Sequence, residues 1–231
     1  GHKDFIHWVH QLNAAMRDRA HALCREWLAP SKRAKNPASK DPKSLAEKDG
    51  ILLHAHDWLA YFAGVELKHA YKLPLIATIH ATEFGRNNGI HSEISRYINQ
   101  IECDLVTEAW RVIVCSGFMK GEVEYALRAP SDKLDIIYNG IHAEKFDFDF
   151  SPKEAVAFCA QYAEPGENII LFVGRGVRQK GCQVLIDAFP RVRRGYNNVK
   201  LVIAGGGYRQ HLVDQANALG IGHQVYFTGF I

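Results

Sequence analysis

No stretch of this chain comes near the roughly 18 consecutive apolar residues that a membrane-crossing helix requires. Its opening residues also lack the pattern of a secretory leader. Neither a membrane span nor export is predicted, and a cytoplasmic setting is expected. Charge of one sign is scarce as well: 28 Lys and Arg against 25 Asp and Glu leave a formal net charge of +3. The basic residues are scattered, apart from Lys32, Arg33 and Lys35, which argues against nucleic acid as a partner. Cys24, Cys103, Cys115, Cys159 and Cys182 stand far apart, with no C-x-x-C among them. That suits free thiols in a reducing compartment better than a disulfide framework or a zinc site. There is no G-x-x-x-x-G-K-[ST], nor a G-x-G-x-x-G followed by an acidic ribose contact.

What the chain does have is enough apolar residue for a real core: 47% apolar and 23% charged over 231 residues, one large domain or two small ones. Phe5, Val9, Leu12, Met16, Ala20, Leu23 and Trp27 recur at helical spacing and predict a helix over 4–28, ended by Pro30. Residues 31–50 are rich in Lys, Pro and Asp and read as a surface connection. Short apolar runs at 51–53, 74–80, 112–115 and 134–138 predict strands, with helices after Asp57 and over 93–109 and 117–127. Phe146 to Phe150 alternates in a polar setting and reads as a linker. A helix at about 152–162 follows. Strands over 169–173, 200–204 and 225–227 then alternate with helices, the last of them over 208–219. This alternation predicts an α/β protein with two parallel sheets, one ending near residue 145 and the other starting near 167. The nearly continuous apolar strands predict sheets covered on both faces.

The most distinctive stretch is Gly174-Arg175-Gly176-Val177-Arg178-Gln179-Lys180-Gly181. It lies between the strand ending at Val173 and an amphipathic segment carrying Val184, Leu185, Ala188, Phe189 and Val192. A glycine-rich turn from strand to helix offers backbone N–H groups and the positive end of the helix to an anion, and Arg175 and Lys180 add two full charges. A solvent-facing basic loop is the plainer reading of the same residues.

The turn resembles the Gly-Arg…Lys-Gly turn of retaining glycosyltransferases of family 4, the glycogen synthase, sucrose synthase and mannosyltransferase group, which has the GT-B fold. Six further stretches are similar to that family in order and spacing. They are His54-Ala55-His56-Asp57-Trp58, Thr78-Ile79-His80-Ala81-Thr82-Glu83 with Gly85-Arg86, Ser116-Gly117-Phe118-Met119-Lys120, Asn139-Gly140-Ile141, Leu185-Ile186-Asp187-Ala188-Phe189, and Phe227-Thr228-Gly229-Phe230. The likeness covers about residues 50–231. It implies two Rossmann-like parallel-sheet domains of GT-B type, both truncated: an acceptor-side domain over 1–147 and a nucleotide-sugar-binding domain over 148–231. It also implies roles. Gly174, Arg175 and Lys180 would hold the donor diphosphate, and His80 would meet the transferred sugar. Asp57 and Asn139 would complete the catalytic side. Gly206, Gly229, Phe230 and Ile231 would border the nucleotide.

The implied reaction moves a hexose, glucose first among them, from a UDP- or ADP-sugar to a carbohydrate acceptor such as an α-glucan. The alternatives are a sucrose- or trehalose-type synthase, an envelope-sugar glycosyltransferase, or, in another class, a GT-B-like nucleotide-sugar epimerase or a non-catalytic nucleotide-binding module. Growing charge on the departing phosphate is met by guanidinium and ammonium groups, so no cofactor and no metal are expected. His54 and His56 share a strand face beside Asp57 but lack a well-spaced third metal ligand. Asp57 also suits the N-cap of a helix starting at Trp58, and Asn139 before Gly140 suits a turn. No N-terminal glycine-rich loop and no Glu-x7-Glu segment is present. A fragment of a longer enzyme is therefore expected, and activity of the isolated piece is not.

Overall fold

The computed structural model describes residues 2–28 and 51–230. The chain divides into two compact units, Gly1–Ile141 and His142–Ile231. The division falls six residues ahead of the expected 147/148 boundary, before a stretch in which Phe146, Phe148 and Phe150 are exposed. The expected surface connection over 31–50 lies outside the described residues.

The first unit opens with α1 (His2–Leu28), then β1 (Leu53–His56), a short 3₁₀ turn (Trp58–Ala60), α2 (Tyr61–Tyr71) and β2 (Leu75–Ile79). It continues with α3 (Glu83–Asn87), α4 (Glu93–Glu108), β3 (Arg111–Val114), α5 (Gly117–Leu127) and β4 (Leu134–Ile136). The four strands lie in chain order and every pairing is parallel, so the carboxyl ends of all four share one edge. Helix starts follow local chemistry. The Ser92 and Ser116 hydroxyls accept the backbone N–H groups of Ser95 and Met119, and Thr82 caps α3 in the same way.

Two expectations give way here. The first strand was expected over 51–53, but it begins at Leu53 and runs through His56, while Leu52 is 51% exposed. Alternation explains the shift: Ala55 points into the core while His54 and His56 point away. More broadly, burial alternates along the sheet. Ala55, Leu75, Ala77, Ile79, Val112 and Val114 are buried against the helices, and the opposite face is mostly half-exposed and polar. Among the described residues the sheet is therefore packed on one face rather than two.

Helix α1 docks through a buried amide. Asn13 donates to the carbonyls of Val9 and Leu59, both at 2.8 Å, and accepts the Ala63 N–H at 3.0 Å. Replacement by Ala strands two buried backbone groups on the 3₁₀ turn and α2. Asn13→Ala is therefore expected to destabilise the chain by ~2–3 kcal/mol. A urea midpoint equal to wild type would show that α1 is held by its apolar face alone.

The second unit contains α6 (Pro152–Cys159), β5 (Asn168–Val173), α7 (Cys182–Gly195), β6 (Val199–Ala204), α8 (Gln210–Ala218) and β7 (Val225–Gly229). Its three strands are again parallel and in chain order. Cys182, Ile186, Phe189 and Leu212 of the two helices pack on Leu201 and Ile203. β5 was expected to be buried. It lies at the sheet edge, where Ile170 and Phe172 pack inward while Leu171 and Val173 are 60% and 73% exposed.

Candidate active site

In open parallel sheets, ligands bind beyond the carboxyl ends of the strands. In the first unit that edge carries one polar residue from each strand. His56 is the last residue of β1, His80 and Cys115 directly follow β2 and β3, and Asn139 lies three residues past β4. Their side chains are joined in a row. His56 Nδ1 is 3.0 Å from His80 Nε2, and the two rings are nearly parallel, at 10°. His80 Nδ1 is 3.5 Å from Cys115 Sγ, and the Cys115 thiol donates to Asn139 Oδ1 at 3.6 Å. His54 stands behind the row, with Nε2 at 2.7 Å from Thr78 Oγ1 and its ring 4.3 Å from that of His56. Burial, and then the neighbouring His56 and His80, hold the His54 pKa below its usual value.

Asp57 does not cap the turn that follows it. Its Oδ1 instead accepts the His80 backbone N–H at 2.8 Å, and its own N–H donates to Thr78 O. That reach requires φ 55° and ψ 178°, a conformation that costs a non-glycine residue about 1–3 kcal/mol. Arg86 comes within 3.9 Å of the Asp57 carboxylate and 4.0 Å of that of Glu83. It rides on α3, which is anchored from beneath: both Glu102 carboxylate oxygens accept the Glu83 N–H, at 3.0 and 2.9 Å.

In the second unit, three turns leave the carboxyl edge and interlock. Gly174 N–H donates to Ala204 O, Gly176 N–H to Gly206 O, and Gly205 N–H to Gly229 O. Gly174, Gly206 and Gly229 are thereby brought into adjoining turns. Two amides that the sequence offered to an anion, those of Gly174 and Gly176, are committed to the neighbouring turn instead. Arg175 and Lys180 are both exposed on the β5–α7 turn, which closes through a 3₁₀ segment (Arg178–Lys180) and Gly181 at φ 73°. Phe230 is 91% exposed. Ile231 lies outside the described residues.

Comparison with known proteins follows the same division. Residues 43–145 match the family described as Glycosyltransferase Family 4, and residues 159–231 match Glycosyl transferases group 1. The chain thus carries glycosyltransferase domains of both descriptions. It is 40% identical, over 198 residues, to an uncharacterised glycosyltransferase of Methanocaldococcus jannaschii, covering 82% of this chain and 50% of that protein. It is 34% identical over 182 residues to a glycogen synthase of Mycobacterium tuberculosis, covering 78% and 42%. The chain thus spans half or less of the length of these relatives. In fold it is similar to Anabaena HepE, crystallised with UDP-glucose, at TM-score 0.66 and 21% identity over 78% of this chain and 48% of that one. A sucrose-phosphate synthase of Thermosynechococcus elongatus is similar at TM-score 0.64 and 22% identity, over 80% and 47%.

The structure brings His80, Asp57 and Asn139 together at one edge. Sequence reasoning missed two members of the row. His56 was weighed only as a metal ligand, and Cys115 only as one of five free thiols, which all five are. The signal for both was positional, since each stands at a predicted strand's carboxyl end. Among the described residues no cluster of three or more His, Cys, Asp or Glu is placed to hold a metal ion, and no helix is long and apolar enough to cross a membrane.

Proposed function

We propose that the protein is a retaining glycosyltransferase that moves a hexose, glucose first among the candidates, from a nucleoside diphosphate sugar to a carbohydrate acceptor such as an α-glucan. The reading is carried by the exposed Arg175 and Lys180 on the turn that leaves β5, inside the segment matching Glycosyl transferases group 1. Two cationic donors on one turn suit a diphosphate whose negative charge grows as the sugar departs. The glycogen synthase relative and the UDP-glucose carried by HepE support glucose and a nucleotide of that class. Under this reading His80, Asp57 and Asn139 serve the transferred sugar and its acceptor, and the Gly206 and Gly229 turns border the nucleotide. The reaction needs no metal, because the cationic side chains meet the phosphate charge themselves.

Calorimetry with UDP and ADP tests the donor site. Arg175→Ala is expected to weaken binding roughly 10- to 100-fold, as loss of a charge-assisted contact should. An unchanged affinity would remove Arg175 from the diphosphate site. Labelled UDP- or ADP-glucose with and without glucan separates a transferase, which needs the acceptor, from an epimerase, which does not.

A further inference from the structure

We propose that His56, His80, Cys115 and Asn139 form a single hydrogen-bond chain running in one direction, in which Cys115 is the positioning residue that fixes the proton arrangement of both histidines. The argument starts from the thiol, which has one hydrogen. Asn139 Oδ1, 3.6 Å away, can only accept, so the proposed polarity gives it that hydrogen. The sulfur then meets His80 Nδ1, at 3.5 Å, only as an acceptor, so Nδ1 carries a proton. A neutral imidazole has one N–H, so His80 Nε2 is left with a lone pair and must accept from its neighbour at 3.0 Å, His56 Nδ1. The nearly coplanar rings suit an in-plane N–H···N bond of this kind. His56 is thereby also held in the Nδ1–H form. The backbone of His80 is pinned by Asp57, and the His56 ring lies against a His54 ring held by Thr78, so the donors and acceptors are aligned before any ligand arrives.

This polarity determines what the edge offers a ligand. Both ring nitrogens of His80 are engaged within the protein, so under this polarity His80 serves a sugar by orienting His56 rather than by bonding a hydroxyl itself. The row's open acceptor is His56 Nε2, which has no hydrogen-bond partner among the described residues, and its open donor is the Asn139 amide nitrogen. A polyhydroxylated ligand would donate one hydroxyl hydrogen at the His56 end and place a hydroxyl oxygen at the Asn139 end. That the ligand is a sugar rests on the function proposed above, whereas the chain of hydrogen bonds does not. Reversal of the row requires the thiol hydrogen on His80 Nδ1, the Asn139 amide turned over, and Nε2–H on His80. The two polarities therefore predict opposite tautomers at one residue.

Long-range ¹H–¹⁵N spectra of the ¹⁵N-histidine-labelled chain read these tautomers directly, at about pH 8 where an ordinary histidine is neutral. His56→Gln and His80→Gln assign the signals. The expected result in wild type is Nδ1–H at both residues, the form a solvated histidine does not favour. Cys115→Val should return His80 to Nε2–H, while Cys115→Ser, whose hydroxyl also accepts and donates, should keep it at Nδ1–H. Nε2–H at His80 in the wild-type chain overturns the proposal without requiring any variant to fold. An unchanged His80 in a folded Cys115→Val removes the positioning role of the thiol. Expected tautomers in a chain that binds no UDP or ADP would sink the glycosyltransferase reading and leave the hydrogen-bond chain standing. The reverse combination would sink the chain alone.

Discussion

Gly205→Ala should cost the second unit more than any other single methyl group added to its carboxyl edge. Gly205 sits at φ 139°, where side chains are strained regardless of space. A Cβ there would fall on the Gly174 carbonyl oxygen, far inside van der Waals contact, and 2.7 Å from the carbonyl carbon. The obstacle is backbone and has nowhere to move: Gly174 N–H is bonded to Ala204 O, and Gly205 N–H to Gly229 O. Strain and clash together give an expected loss of at least ~3 kcal/mol, which lowers the melting temperature of a unit this size by more than about 10 °C. Gly206→Ala is the matched control, because a Cβ there meets nothing within 4 Å and φ is not positive. Calorimetric scans of the two variants that agree to within about 2 °C would show that the interlocked turns do not approach as closely as described. The same turns carry Gly174, Gly206 and Gly229, so Gly205→Ala should also weaken nucleotide binding in whatever fraction stays folded.

How much of this was legible depended on how far each feature reached along the chain. Helix starts set by Ser116 and Ser92, and the strands of 75–79, 168–173 and 199–204, follow from periodicity and capping, which are local. The carboxyl-edge placement of His80, Asn139, Arg175 and Gly229 followed from counting residues past apolar runs. The sheet faces were misread for a physical reason. Runs such as Ile169-Ile170-Leu171-Phe172-Val173 read as buried on both sides, yet at an edge strand only the inward residues find a helix. The role of Gly205 was hidden because its partner, Gly174, lies 31 positions earlier and the contact is backbone to backbone. The role of Cys115 was hidden because it depends on His80 and Asn139 arriving from two other strands. Asp57 shows both sides. Its place at the strand end was legible, but its choice of the His80 amide over the N-cap depends on a backbone conformation that composition does not announce.

Glu102 should make stability fall as pH rises from about 4.5 to about 7, opposite to the trend of an ordinary ion-paired carboxylate. Its side chain, on α4, is 1% exposed. Burial drives its pKa from 4.5 up to about 7, outweighing the Glu83 N–H and Arg86, which favour the charged form; the charges of Glu83 and Asp57 push the same way as burial. Burial likewise raises the pKa of Glu83 itself, which adds to the trend. Between pH 4.5 and 7 the folded chain therefore keeps a proton that the unfolded chain has released. Raising pH through that window favours unfolding, by up to ~3 kcal/mol in total, and the full advantage is present only below the unfolded value. Glu108 and Asp135, whose pKa values are lowered by Lys68 and Arg111, pull in the opposite direction at lower pH. Glu102→Gln keeps an acceptor for the Glu83 N–H and removes the titration. In denaturant melts it should match wild type near pH 5 and exceed it by ~2–3 kcal/mol near pH 8. Parallel curves across that range would mean that the carboxyl is solvated in the folded chain.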